Sequence, residues 1–297
     1  MRVFITGSSG YFGQSLLSKL LREGHKPVCL IRPGSENKLG DLKGKIEAVP
    51  GGIGDVAAWK SGLHDIDAII NLIGIIREFP SRGITFEKLH YRATADLVDL
   101  AAELGVKRFL QMSALGVSPN SRADYHRTKY RAEVYLKESE LDWTIFRPSL
   151  IIGKGNKAIA EIVKLINSAP LVPIIGNGEY RMQPVDIDNV AEGFMKALTD
   201  EKIIGKTYKV GGPDRFSYNR MLDIIGEALG KKVRKMFVPV FMMKAVACAF
   251  EYFSFFPLTK GQINMLLEEN ITDSKVYFEE LNIKPIGFKE SIRKALT

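Results

Sequence analysis

The sequence predicts an α/β fold, a parallel, doubly wound sheet with a smaller C-terminal substrate lobe, and three observations carry that prediction. Short β-rich apolar runs alternate with amphipathic helical patterns up to about residue 150. A glycine cluster joins the first run to the first helical pattern. Beyond residue 150 the texture changes to segments punctuated by Pro170, Pro173, Gly176, Gly178, Pro184, Gly211, Gly212 and Pro213.

In chain order, strands are predicted at residues 3–6, 27–31, 68–73, 108–113 and 143–147, the last closed by Pro148. Helices are predicted at residues 14–22, 87–103, 125–139 and 158–168. Strand and helix in alternation make βαβ units with right-handed crossovers. Residues 151–297 are expected to form the smaller lobe, interleaved with returns to the main sheet. The expected pair of helices at 87–103 and 125–139 could also build a four-helix dimer interface.

Apolar residues make up 45% of the chain and charged residues 26%, a balance that sets aside disordered and membrane-spanning classes. The net charge of +8 favours acidic ligands, but Lys and Arg are scattered among Asp and Glu without a block of five like charges. No nucleic-acid partner is therefore expected. With two cysteines, one of them (Cys29) inside an apolar run, no disulfide framework is expected. The start at Met1 and Arg2 runs straight into strand-like residues, which predicts a cytoplasmic protein. The apolar stretch 237–258 is interrupted by Lys244 and Glu251 and punctuated by Pro239 and Pro257. It is expected to be a buried or partner-facing helix, with peripheral membrane contact as the alternative.

Gly7, Gly10 and Gly13 follow the first strand and open the first helix, in the spacing G-x-x-G-x-x-G with Ser9, Tyr11 and Phe12 between them. Gly7 permits the tight turn, Gly10 lets the backbone approach a pyrophosphate, and Gly13 lets helix and strand pack closely. Free N–H groups at the helix start favour the anion. The pattern predicts a Rossmann dinucleotide-binding domain over residues 1–150. Where an NAD-binding fold ends its second strand in a carboxylate, this sequence has Arg32, with Lys38 in the following loop. A guanidinium suits a 2′-phosphate, so NADP(H) is preferred over NAD(H).

Tyr125 and Lys129 stand one helical turn apart. An ammonium beside a phenol favours the phenolate, so Tyr125 is a candidate acid or base toward a carbonyl or alcohol, with Lys129 also able to bond the nicotinamide ribose. Ser113, at the end of an apolar run, is the third catalytic candidate, and a cap or turn residue is its plainer reading. His90 is a packing histidine or a substrate contact. His25, His64 and His126 show no ligand spacing with one another or with the cysteines, and no metal is assigned.

These residues resemble the extended and atypical short-chain dehydrogenase/reductases, most closely the atypical subgroup that includes the nucleotide-binding accessory subunit of respiratory complex I and its bacterial relatives. The resemblance rests on Gly7–Gly13, on Asn71, Leu72, Ile73 and Gly74, on the run 105–116, on the Tyr125/Lys129 pair, on residues 146–149 and on residues 183–191. It implies that Tyr11 and Phe12 cover the pyrophosphate and that Leu72, Ile73 and Gly74 line the adenosine side. It also implies that Met112, Pro148, Leu150 and Ile151 adjoin the nicotinamide end. Gly52-Ile53 stands where relatives often carry Asp and an apolar residue, so Ile53 would stack on adenine without the polar contact. His90 stands where many extended enzymes have an asparagine. Three functions follow. The first is an oxidoreductase acting on an unknown small-molecule carbonyl or alcohol. The second is a nucleotide-bound accessory or assembly protein of a respiratory or membrane-associated complex. The third is a sugar-nucleotide epimerase or dehydratase, for which Arg181 would meet a diphosphate.

Overall fold

Strand β1 (Arg2–Thr6) carries Val3, Phe4 and Ile5 in succession, and all three are fully buried, because both faces of the strand are covered. The computed structural model describes residues 1–251 and 258–296. After β1 come α1 (Tyr11–Arg22), β2 (Lys26–Ile31), β3 (Glu47–Pro50), the single turn α2 (Val56–Trp59) and β4 (Ala68–Asn71). A π-helical turn (Glu87–Arg92) leads into α3 (Ala93–Glu103), followed by β5 (Arg108–Met112), α4 (Asp124–Lys137) and β6 (Asp142–Pro148). The expected first-half strands and helices are all present, with ends shifted by a few residues.

Beyond β6 the chain forms β7 (Ile151–Ile152), α5 (Lys157–Ser168), β8 (Val172–Ile175), β9 (Arg181–Met182), β10 (Val185–Asp186) and α6 (Ile187–Ala197). Then come β11 (Lys206–Val210), β12 (Phe216–Ser217), α7 (Tyr218–Ala228), β13 (Lys235–Val238) and α8 (Val240–Phe250). The last elements are α9 (Lys260–Leu267), α10 (Lys275–Glu280) and α11 (Phe288–Leu296).

Seven strands form one parallel sheet in the order β3-β2-β1-β4-β5-β6-β11. The order reverses between β1 and β4, and a crevice opens there at the carboxyl ends of the strands. Beyond the main sheet the second half adds three two-stranded pairs, β7 with β10, β9 with β12 and β8 with β13, and an apolar cluster that includes Ile152, Ile174, Leu222, Ile225 and Phe288. The chain crosses back to the main sheet twice. Strand β11 pairs with β6, and α6 packs on α1, where Lys19 pairs with Glu192 at 2.7 Å. Among the described residues no helix is long and apolar enough to cross a membrane. Pro257, expected to bound the apolar stretch, lies outside the described residues.

An aromatic cluster joins the returning chain to the sheet. Phe146 on β6 stands 4.4 Å from Phe194 on α6 and 5.9 Å from Tyr208 on β11, ring centre to ring centre. Tyr277 on α10 donates its hydroxyl proton to the Asn189 carbonyl at 2.7 Å, so a buried phenol keeps a partner. Phe146 is fully buried, and Phe146→Ala should cost about 3–5 kcal/mol through lost contacts and an unfilled cavity. A urea titration checks this, and a cost below about 1 kcal/mol would mean that the cluster does not hold the two parts together.

Candidate functional site

The crevice is shaped by one buried amide. Asn71 ends β4 and fills all four of its hydrogen-bonding positions: Oδ1 accepts from Thr6 Oγ1 (2.7 Å) and the Ile73 N–H (3.1 Å), while Nδ2 donates to Thr94 Oγ1 (3.1 Å) and Gln111 Oε1 (3.0 Å). The bond to Ile73 turns the chain out of the sheet two residues before the expected end of the strand. It sets Leu72 against the glycine turn, where a Cβ on Gly7 would stand 2.9 Å from the Leu72 carbonyl carbon. Gly7 also has φ of +76°, a left-handed conformation that suits glycine. At Gly13 a Cβ would come within 2.5 Å of the Gly7 carbonyl oxygen, so that glycine lets α1 start against the turn.

A cleft of about 210 Å³ lies on this turn, lined by Gly7, Ser9, Gly10, Arg32, Lys38, Ile53, Leu72, Ile73 and Gly74 together with Leu30, Ile75 and Leu89. The cleft thus gathers Gly7, Ser9, Gly10, Arg32, Ile53, Leu72, Ile73 and Gly74 from the expected cofactor residues. The first turn of α1 holds no acidic side chain, and no side chain caps its start, so its leading N–H groups are open to an anion. Arg32 and Lys38 are exposed at the rim, and among the described residues neither pairs with a carboxylate.

Tyr125 lines a second cleft of about 660 Å³ with Ile76, Phe79, Phe86 and Met265, with Arg77, Arg122 and Lys260, and with Glu78, Asp124 and Glu251. Lys129 stands between the two clefts. Its ammonium lies 3.5 Å from where a Cβ on Gly74 would be and 5.7 Å from the centre of the Tyr125 ring, and it donates to the Met112 carbonyl at 3.2 Å. Burial pushes its pKa down to about 8, while the nearby Glu133 carboxylate works the other way. Burial also pushes the Tyr125 phenol up. Burial therefore works against the expected phenolate.

Several expected roles are corrected. Ser113 does not line either cleft: its hydroxyl donates to Glu133 Oε1 at 2.5 Å, and Arg147 donates to both oxygens of the same buried carboxylate at 2.8 and 2.5 Å. His90 has both ring nitrogens engaged. Nε2 accepts from the Ile75 N–H (3.2 Å), which leaves the proton on Nδ1, 3.0 Å from Thr128 Oγ1. The ring is a packing tie rather than a substrate contact. Phe12 turns its ring into the core, 5.4 Å from Phe194, so only its backbone can face a pyrophosphate. Tyr11 packs beneath residues 153–155, with its ring about 3.9 Å from a Cβ built on Gly155. The Gly52 carbonyl accepts from the Trp59 indole N–H at 3.0 Å, and Gly52 stays off the cleft wall. Arg181 forms a two-pronged pair with Glu269 (2.6 and 2.7 Å) and lines neither cleft. Met112 ends β5, Pro148 ends β6, Leu150 follows it and Ile151 opens β7, and none of the four lines the glycine-turn cleft. The sequence reasoning missed Glu133, although its position one turn after Lys129 on the same helix face was a signal.

A profile of the NAD(P)H-binding family matches residues 7–167, more than half of the chain. The chain belongs to that family. The NAD(P)H-binding chain is 29% identical to "NADH dehydrogenase [ubiquinone] 1 alpha subcomplex subunit 9, mitochondrial" of Arabidopsis thaliana, over 96% of this chain and 74% of that protein. It is 22% identical to the "NADH-ubiquinone oxidoreductase 40 kDa subunit, mitochondrial" of Neurospora crassa, over 95% of this chain and 75% of that one. A solved UDP-glucuronic acid 4-epimerase from Bacillus cereus, in complex with NAD, shares the fold with a TM-score of 0.77 at 18% identity, covering 99% of this chain and 97% of that chain. Fold and family agree with the resemblance to the extended and atypical short-chain dehydrogenase/reductases.

Burial gives the site a pH signature. His90 is pushed down to about 2 and His126 to about 4, first by desolvation and then by the Lys129 charge. Between the ordinary histidine pKa of about 6.5 and these values the unfolded chain binds more protons than the folded one, so stability falls as pH falls. The slope should approach about 1.4 kcal/mol per pH unit for each histidine. Urea titrations between pH 7 and 5 should show this loss, reduced in His90→Asn; a flat profile would place both rings in water.

Proposed function

We propose that this NAD(P)H-binding protein is an NADP(H)-dependent oxidoreductase acting on a small carbonyl or alcohol compound, in a reducing, cytoplasmic setting. The observation that carries the proposal is the position of Lys129, which borders the glycine-turn cleft at Gly74 and the Tyr125 ring on its other side. The glycine turn leaves backbone bare for a pyrophosphate, and the unpaired Arg32 and Lys38 suit a 2′-phosphate. These residues would hold the dinucleotide, which when bound supplies or accepts hydride.

Tyr125, like any phenol, holds its proton at neutral pH, and burial raises its pKa further, so it can donate to a substrate carbonyl oxygen. Lys129, charged below a pKa of about 8, favours the phenolate left after that donation. Glu133 sustains the charge on Lys129, and Ser113 and Arg147 hold Glu133 in place. Around Tyr125 the cleft carries apolar side chains with three basic residues (Arg77, Arg122, Lys260) balanced by three acidic ones (Glu78, Asp124, Glu251), which suits a substrate with an apolar body.

A second reading is a nucleotide-bound accessory or assembly protein of a respiratory or membrane-associated complex. The engagement of the Ser113 hydroxyl with Glu133 favours it, as do the relatives named as respiratory subunits. For the epimerase reading, Arg181 is exposed, pairs with Glu269 and lines neither cleft.

NADPH oxidation followed across a panel of aldehydes and ketones separates the first two. The oxidoreductase reading predicts turnover that falls about 10²- to 10⁴-fold in Tyr125→Phe and declines as pH rises through about 8. Binding of NADPH without turnover on any carbonyl would favour the accessory role.

A further inference from the structure

Helix α8 has the wrong outer face for water. Val240, Met243 and Ala247 pack toward Ile175, Ile263 and Leu266, which accounts for one side of the helix. On a surface helix the opposite side is ordinarily polar. Here the exposed positions are Phe241, Met242, Ala245, Val246, Cys248, Ala249 and Phe250, and the only charge on the helix, Lys244, is half-buried. Phe241 is 74% exposed, Met242 49% and Val246 40%, and the preceding strand β13 adds Met236 at 46% and Phe237 at 55%. The exposed apolar positions of α8 cover most of the side turned away from its packed residues, and β13 adds Met236 and Phe237 on opposite sides of the strand that leads into the helix.

Along the run that builds this face the charges have one sign, with Glu251 standing at its far end. From residue 228 to residue 250 the sequence has no Asp or Glu, while it has Lys231, Lys232, Arg234, Lys235 and Lys244. Lys235 pairs with Asp223, but Lys231, Lys232 and Arg234 are exposed, and among the described residues none of the three pairs with a carboxylate. A second copy of the chain would bring the same cations against themselves across a symmetric contact. An anionic lipid surface complements both features, because lipid tails take the aromatic and methionine side chains and headgroups take the cations.

We propose that the outer face of α8 and β13, with Lys231, Lys232 and Arg234 beside it, is a docking surface for an anionic membrane. The helix lies in the interface rather than crossing it: its 11 residues span about 16 Å, half the thickness of a bilayer core. The docking stands apart from the reaction proposed above, since none of these side chains lines either cleft.

The test is sedimentation of the full chain with vesicles of phosphatidylcholine alone and of phosphatidylcholine mixed with phosphatidylglycerol, at low and high salt. The protein should pellet with the anionic vesicles, and added salt should weaken the binding. Phe237→Glu with Phe241→Glu should weaken it by about tenfold or more, and Lys231→Glu with Lys232→Glu should act in the same direction. Because all four side chains are exposed, the melting temperature of each variant reports that the fold is intact. Failure to pellet with anionic vesicles would overturn the proposal, as would binding indifferent to the phenylalanine changes. Self-association of the wild type that Phe241→Glu abolishes would assign the face to a second copy instead.

Discussion

The Asn71 amide is the contact on which the site depends. It sits fully buried where β1, β4, β5 and α3 converge, and each of its four hydrogen bonds goes to a different neighbour. An unpaired amide there would cost about 1–3 kcal/mol, so the four partners and their spacing are fixed together. The arrangement has a geometric result. The chain leaves β4 at Leu72 and forms a shelf beneath Gly7, and the crevice at the sheet's reversal acquires one wall from each side. Substituting any larger residue at Gly7 pushes on that shelf, and loss of the amide releases it.

A second buried group, Glu133, organises the charges next to Tyr125. Glu133 collects Ser113, Arg147 and Lys137, and its charge opposes the desolvation of Lys129 one turn earlier. Without that carboxylate a buried ammonium would lose its proton nearer neutrality. The same burial keeps the Tyr125 phenol protonated. Burial thus acts on both groups of the pair, raising the phenol and lowering the ammonium, and Glu133 works against the second shift. His90, by contrast, spends both ring nitrogens on Ile75 and Thr128 and holds the π-helical turn against α4.

The fold was legible because it is written in local pattern. Apolar runs such as Val3–Phe4–Ile5 and Ala68–Ile69–Ile70 belong to strands covered on both faces, and the glycine spacing marks a turn whose backbone geometry admits little else. Most of the cofactor wall was legible for the same reason. Side-chain direction was not. Ser113 stands at the expected strand end, yet its hydroxyl goes to a glutamate 20 residues further on, which no periodicity reveals. Arg181 looked available until Glu269, 88 residues away, closed on it, and Phe12 was drawn into the core by Phe194. Such pairings are set by tertiary contacts between distant segments, and sequence spacing carries no record of them. Lys129 and Glu133 share a helix face, so their coupling could have been read.

The central claim is that the crevice between β1 and β4 binds a dinucleotide whose 2′-phosphate meets Arg32. Calorimetric titration of the purified chain with NADPH and with NADH, repeated on Arg32→Asp, tests it most directly. The account predicts saturable binding of both, with NADPH tighter by about tenfold or more and that margin lost in the variant. Equal affinities in the unaltered chain would leave Arg32 in solvent, and binding of neither nucleotide would contradict the account at its root.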